Sequence, residues 1–258
     1  MRITVLGSCG GFAGRNEGCS SYLLSLEDPR SREDRHFLID AGPGAVAFVQ
    51  NYTPLHRLDG IILSHLHPDH VSDLFTLRYA LQSALRMGEL AAPLPLYLPR
   101  TPEKSFSFLR DCLGEELEPR LLQDGGEIDL GGARVLLLQT LHPLECYAMR
   151  LEAGVAAAVY TADTGFFAGL VDFARGADLL IAEATLLDAD RELEAMGHMT
   201  ARTAGELACA AGAGRLWLTH IWPFNDRSLT EAQARESCPV PLQAARRGLS
   251  ATLGDPGS

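Results

Sequence analysis

The sequence predicts an α/β (α+β) fold in which two β-sheets are covered by helices on their outer faces. Three observations carry this: short apolar runs recur between turn signals as buried strands do, amphipathic helix-length segments separate them, and the chain opens β-rich. The runs also share an ending, because each stops at a polar residue able to bind a metal or move a proton. Ile61-Ile62-Leu63 leads to His65, Val135-Leu136-Leu137-Leu138 to His142, the run 156–160 to Asp163, Leu179-Leu180-Ile181 to Glu183, and Leu216-Trp217-Leu218 to His220. Residues just past the strand ends on one edge of a layered fold converge on a common cleft, so these positions mark the expected active site.

Taken in order, residues 1–7 read as a short strand entering a glycine-rich turn over 7–14. That turn lacks the Gly-Lys-Ser/Thr of a phosphate loop and the spacing of a dinucleotide fingerprint, so it is expected beside the site rather than around a nucleotide. Helices are expected over 44–51, 71–87, 103–113, 166–175, 200–211 and 229–236. The clearest is 71–87, where Leu74, Leu77, Leu81 and Leu85 repeat at three and four and Gly88 follows as a stop, with Pro68 suited to its first turn. A hairpin pairing 146–151 with 155–161 fits between His142 and Asp163.

A length of 258 residues, 47% hydrophobic and 21% charged, suits one domain over 1–253, with 254–258 reading as a disordered tail. The net charge of −11, from 33 acidic and 22 basic residues, argues against a broad nucleic-acid surface, which needs Lys and Arg to neutralise phosphates. The N-terminus lacks the pattern of a signal peptide, no apolar run reaches membrane-spanning length, and Cys9, Cys19, Cys112, Cys146, Cys209 and Cys238 form no Cys-x-x-Cys. Reduced thiols and a cytoplasmic location are the expectation.

The densest chemistry is His65-Leu66-His67-Pro68-Asp69-His70. Imidazole and carboxylate are preferred ligands of borderline divalent ions such as Zn²⁺, and this spacing offers two alternating imidazoles to one ion and the following Asp-His pair to a second. The bland alternative is a polar strand-to-helix loop that happens to be rich in histidine. His36 and His56 have no such neighbours and read as structural or surface residues.

With His142, Thr161-Ala162-Asp163-Thr164, Ala182-Glu183-Ala184-Thr185, Gly197-His198-Met199-Thr200 and Leu218-Thr219-His220 following in order, the chain resembles the metallo-β-lactamase superfamily over essentially its whole length. Within that superfamily it is most similar to hydrolases related to ribonuclease Z, the tRNA 3′-processing endonuclease. The resemblance implies an αββα sandwich of two mixed sheets flanked by helices. It also implies two divalent metal ions, Zn²⁺ or alternatively Mn²⁺, with His65, His67 and His142 on one, Asp69, His70 and His220 on the other, and Asp163 bridging. Relatives imply a homodimer. The chemistry agrees with that ligand set: an aspartate between two cations fixes their separation, and a water they share becomes a hydroxide near neutral pH.

By the same resemblance, His198 is the expected proton donor to the leaving group, Glu183 its orienting partner, and Asp69 takes part in catalysis as well as in metal binding. A carboxylate beside an imidazole favours its protonated form. The alternative for this pair is a helix cap at Glu183 and a surface histidine at 198.

Several positions depart from the family pattern: Ala162 stands where Gly is usual, Ala182 where ribonuclease Z commonly has His, and Met199 in place of a hydroxyl. Only twenty residues separate His142 from Asp163, where ribonuclease Z commonly inserts its tRNA-gripping arm, and no Pro-x-Lys-x-Arg-Asn loop is present. The expected activity is therefore hydrolysis of a small phosphodiester, a cyclic nucleotide or related metabolite among the candidates, with neither long nucleic acid nor membrane as partner. The alternatives are a tRNA 3′ endonuclease, a thioester or lactone hydrolase, and an inactive metal-stabilised binding protein. Ser20 and Ser21 are candidates for contacting a substrate phosphate, although a capped strand start fits them better. Phe166, Phe167, Trp222 and Phe224 are candidate pocket walls, with core packing at least as good an account.

Overall fold

The structure is a computed structural model describing residues 1–27 and 34–254. Its first sheet is built from β1 (Arg2–Gly7), β2 (Ser21–Glu27), β3 (Asp34–Ile39), β4 (Leu58–Ile62), β5 (Leu94–Leu98) and β6 (Leu117–Leu121). The second takes β7 (Glu127–Asp129), β8 (Arg134–Gln139), β9 (Tyr147–Ala153), β10 (Ala156–Tyr160), β11 (Leu179–Glu183), β12 (Leu216–Thr219) and β13 (Leu242–Ala244), and β14 (Ser250–Thr252) returns to the first. The strand orders are β14-β1-β2-β3-β4-β5-β6 and β13-β12-β11-β10-β9-β8-β7. Each sheet is mixed: β14 to β3 and β7 to β10 pair antiparallel, whereas β3 to β6 and β10 to β13 pair parallel.

Alternation of side chains along the strands sorts the apolar residues into layers. Tyr22, Leu24, Phe37 and Ile39 of the first sheet meet Val135, Met149, Leu151 and Ile181 of the second in a central core, while their neighbours Leu23, Leu38 and Leu180 face outward. The outward faces are covered by α1 (Ala45–Val49), α2 (Pro68–Val71), α3 (Leu74–Met87) and α4 (Glu103–Cys112) on one side. On the other lie α5 (Ala168–Ala174), α6 (Ala201–Ala211) and α7 (Arg227–Ser237). This is the αββα sandwich expected. Among the described residues no helix is long and apolar enough to cross a membrane.

The helix expected over 71–87 is broken. Pro68 opens α2, and α3 begins only at Leu74, because the backbone between them pairs elsewhere: the Asp73 N–H donates to the Ala41 carbonyl (2.9 Å) and the His70 carbonyl accepts from the Ala41 N–H (2.7 Å), while the Asp73 carboxylate accepts the N–H groups of Gly44 (3.0 Å) and Val46 (2.8 Å) at the start of α1. Gly88 ends α3 in a left-handed conformation (φ 75°), as a C-terminal stop should. The hairpin forms as β9 and β10 around Gly154, and helix 229–236 starts earlier, at Arg227, because Asp226 accepts from the Ser228 N–H at its N-terminus. Helix 166–175 starts later, after an extended Phe167 (φ −154°). Of the expected tail, Gly254 has φ 87°, and 255–258 lie outside the described residues.

Candidate metal centre

Six of the eight histidines converge at one edge of the sandwich, where strands of both sheets end. His65 follows β4, His67 caps the start of α2, Asp69 and His70 lie in α2, His142 follows β8, Asp163 follows β10, Glu183 ends β11 and His220 follows β12. Three strand ends turn through a left-handed residue other than glycine: Asp40 after β3 (φ 57°), Ala162 after β10 (φ 51°) and His220 itself (φ 51°). The glycine-rich turn closes against them. A Cβ on Gly10 would lie 2.5 Å from Nδ1 of His220, and the Gly11 N–H donates to Oδ2 of Asp69 at 2.7 Å.

Two ligand-like groups share this edge: His65, His67, His142 and Asp163 form one, and Asp69, His70 and His220 the other. Nε2 of His65 lies 3.0 Å from Nδ1 of His67 and 3.5 Å from Oδ2 of Asp163. In the other group, Nε2 of His220 is 3.2 Å from Oδ2 of Asp69, and Nε2 of His70 is 3.6 Å from the same oxygen. Asp163 stands between them, with Oδ1 3.5 Å from Nε2 of His70 and Oδ2 3.3 Å from Nε2 of His220. Ligands about 2.0–2.1 Å from one tetrahedral ion are about 3.3 Å apart, so these spacings fit edges of coordination polyhedra.

The polar groups left without partners fit a metal as well. Nε2 of His70, Nε2 of His142 and Oδ1 of Asp163 are buried and accept or donate no hydrogen bond within the protein. Buried polar atoms seldom go unpaired, and three at one spot mark a place for cations. Charge tells the same story. Burial, reinforced by neighbouring imidazoles, holds His65 well below the ordinary histidine range and His142 down to about 4, leaving the neutral rings that coordinate metals. Burial opposes ionisation of Asp163, but His220, His70 and His65 hold it well below the usual carboxylate range. Burial likewise works against the charged form of His70, yet Asp163 and Asp40 hold it well above its ordinary value, so the carboxylates on both sides of this ring favour positive charge there.

Around the ligands lies a layer the sequence reasoning missed. Asp40, wholly buried, accepts from His70 Nδ1 (2.8 Å), the Ser64 N–H (2.7 Å) and hydroxyl (2.9 Å), and the Tyr160 hydroxyl (2.9 Å). The bond to His70 Nδ1 leaves Nε2 as the ring nitrogen available to a metal. The signal was present, since Phe37-Leu38-Ile39 is another apolar run that ends at a carboxylate. Thr185 is the second addition. Its hydroxyl donates to Oε2 of Glu183 (2.7 Å) and accepts from Nδ1 of His220 (2.8 Å), joining one ligand to the Glu183 side of the site.

Glu183 caps no helix. Five donors meet its two oxygens: the N–H groups of Thr164, Thr185 and Met199, the Thr185 hydroxyl, and Nδ1 of His198 at 2.9 Å. His198 stacks on His220 with ring centroids 5.6 Å apart and lines a cavity of about 390 Å³ above Asp69, Asp163 and His220. Burial alone would depress its pKa, but the Glu183 carboxylate raises it to about 9. His198 also lies within ligand reach of Asp163 and His220, a second role that its geometry permits.

The remaining candidates separate. Ser20 and Ser21 are wholly buried, and the Ser21 hydroxyl donates to the Cys19 carbonyl, so neither faces the cavity. Trp222 lines the cavity, Phe166 lines a neighbouring one beside His142, Phe167 packs into the apolar layer outside the second sheet, and Phe224 is largely exposed against Trp222. His36 sits in β3 with Nδ1 3.0 Å from the Ser25 hydroxyl, and His56 lies 3.7 Å from Glu89, both away from the cluster.

Comparison with known proteins agrees with this architecture. YhfI of Bacillus subtilis (strain 168), described as a probable metallo-hydrolase, is 34% identical over 224 residues, covering 87% of this chain and 88% of its own. The crystal structure of YhfI, a metallo-β-lactamase fold protein, superposes with a TM-score of 0.87 at 31% identity over 98% of both chains. The short form of human tRNase Z shares the fold at 19% identity, with a TM-score of 0.75 over 99% of this chain and 100% of that one. The model of the β-lactamase superfamily domain matches residues 35–221. A buried His/Asp cluster on an αββα frame, that match and the YhfI alignment lead to one conclusion: the chain belongs to the β-lactamase superfamily and is one of its metallo-hydrolases.

Proposed function

We propose that this protein hydrolyses small phosphodiesters, cyclic nucleotides and related metabolites among them, at a pair of Zn²⁺ ions, with Mn²⁺ as an alternative. In this reading His65, His67 and His142 hold one ion, Asp69, His70 and His220 the other, and Asp163 lies between them. Five imidazoles and two carboxylates are a donor set suited to Zn²⁺. Bound there, the two ions would supply a hydroxide nucleophile near neutral pH and withdraw charge from the phosphoryl oxygens.

The observation that carries the reading is the Glu183–His198 pair, 2.9 Å apart and next to Asp163's group of ligands. With Nδ1 donating to Glu183, the remaining N–H of a protonated His198 is available at the cavity. There it protonates a departing alkoxide, the step a phosphodiester with a sugar or alkyl leaving group needs most. Glu183, fixed by four other donors, holds the ring in that orientation. Asp69, tethered by Gly11, sets the position of the second ligand group. Against tRNA as substrate stand the net charge of −11 and the short β9–β10 hairpin, which occupies the interval between His142 and Asp163.

The test is turnover by Zn²⁺- and Mn²⁺-loaded protein of bis(p-nitrophenyl) phosphate, a precursor tRNA and an acyl thioester. Cleavage of the diester alone is expected. Specific 3′ cleavage of the tRNA at physiological salt, or hydrolysis of the thioester without the diester, would replace this reading.

A further inference from the structure

The cavity above the ligands is two-sided in its chemistry. Its floor is the ligand cluster and His198, while Leu186, Leu193, Met196 and Trp222 build its wall, and no lysine or arginine is among the described residues that line it. Three of those wall residues are exposed to an unusual degree for large apolar side chains: Met196 62%, Trp222 39% and Leu193 38%. Apolar surface left open beside a polar site is costly in water and marks where a ligand lies.

The wall is aromatic on one side and held in place. Trp222 comes two residues after His220, in a turn closed by the Asn225 N–H on its carbonyl (2.8 Å) and by the Asn225 side chain on the Thr185 carbonyl (2.9 Å). The indole lies over Gly11, where an added Cβ would come 3.8 Å from Nε1. Phe224 meets it edge-on (centroids 5.6 Å, 75°). Met196, which lines the same cavity, ends the turn of 3₁₀-helix over Asp188–Met196, which Arg202 ties down through Asp188 at 2.6 Å.

We infer, resting on the phosphodiesterase reading, that the substrate offers this site one monoanionic ester centre and carries an aryl or heteroaryl group on the ester arm that phosphorus retains, which Trp222 and Met196 hold and select. A volume of about 390 Å³ accommodates a ring beside the ester. A planar ring matches an indole face and a polarisable thioether better than an alkyl chain does. A second phosphate would enter the cavity without a guanidinium or ammonium group to meet it, so polyanionic relatives are discriminated against.

Three diesters sharing the p-nitrophenolate leaving group, with phenyl, methyl or octyl as the other substituent, test this on Zn²⁺-loaded protein, together with a phenyl diester bearing an extra phosphomonoester on its ring. The phenyl diester is expected to exceed the methyl and octyl diesters in kcat/KM by about tenfold, mostly through KM, and the extra phosphate to cancel the gain. Trp222→Ala and Met196→Ala should each lower kcat/KM on the phenyl diester at least about fivefold more than on the methyl diester.

Fluorescence gives a readout independent of turnover, because the chain has two tryptophans and Trp217 is buried at 1% exposure. The monomethyl ester of phenylphosphonate should change Trp222 emission at concentrations where that of methylphosphonate does not. Equal kcat/KM for phenyl and methyl diesters, a faster octyl diester, or turnover of the phenyl diester without any fluorescence change overturns the inference. If no diester turns over but the aryl phosphonate still perturbs Trp222, the phosphodiesterase reading falls and aryl selection stands.

Discussion

Oδ2 of Asp40 lies 2.8 Å from Nδ1 of His70, and both side chains are wholly buried. The same carboxylate gathers Ser64 and Tyr160, so one residue at the end of β3 sets the ring plane of His70 in α2 and ties it to a tyrosine of the opposite sheet. An asparagine there keeps the volume and loses one acceptor. Asp40→Asn should weaken metal binding about 10- to 100-fold while the far-ultraviolet circular dichroism stays native. Competition against a chelator of known affinity measures this, and an unchanged midpoint would mean that Asp40 does not orient His70.

Asp163 touches both ligand groups. Protein purified without chelator should carry about two ions per chain, as a seven-ligand set requires, and Asp163→Ala should lower that content together with turnover. Elemental analysis by mass spectrometry checks it. Full metal content with full activity in Asp163→Ala would remove the bridging role.

His198 is tested by the difference between losing a proton donor and losing a ligand. His198→Ala should keep its metals and lower kcat by about 10²–10⁴ on a diester that expels an alkoxide, with far smaller loss when the leaving group is p-nitrophenolate. Equal losses on both substrates would make it a positioning residue. Loss of metal would instead make it a ligand with Asp163 and His220.

Glu145, three residues beyond His142, carries a pH dependence of stability. Burial opposes its ionisation, but hydrogen bonds from the Tyr147 hydroxyl (2.6 Å), the Thr101 hydroxyl and the N–H groups of Thr101 and Arg100 hold its pKa below the ordinary glutamate value. A carboxyl whose folded-state pKa is lowered stabilises the fold above its unfolded value of about 4.3, and that contribution is lost as pH falls through the folded value. Thermal midpoints in chelator, where metal release cannot contribute, should show Glu145→Gln destabilised at pH 7. The gap to the parent should close as the pH is lowered through and below that range. A gap independent of pH would assign the effect to shape rather than charge.

Much of this was legible in the chain because the site is made where strands stop: an apolar run followed by His, Asp or Glu reads directly as a buried strand delivering a ligand. Asp40 obeys the same rule, but it lies far in sequence from the histidine cluster and no local pattern joins the two. Other features depend on contacts that a local pattern does not encode. Asp73 reads as a helical position, but its N–H pairs with the distant Ala41 carbonyl. Pro95 and Pro119 obscure β5 and β6, yet Pro95 lies short of the β4 pairing, which begins at Leu96, and Pro119 is in an edge strand, so neither missing N–H is required. The charge-rich stretch Asp188–Met196 has no apolar period. It is ordered from outside, by Gln233 on the Asp188 N–H, by Arg202, and by Glu194 accepting from Thr200 and Thr203.

The left-handed residues Asp40, Ala162 and His220 each forgo about 1–2 kcal/mol of backbone preference, and all three lie at the working edge. The edge that does chemistry is thus locally frustrated, kept in place by the layers behind it rather than by its own conformational bias. Among the described residues, none other than glycine is left-handed at the opposite ends of the strands. Heating or a distant core cavity should therefore loosen these three corners before the sandwich melts, so that competence to bind metal fades while the sheets remain intact.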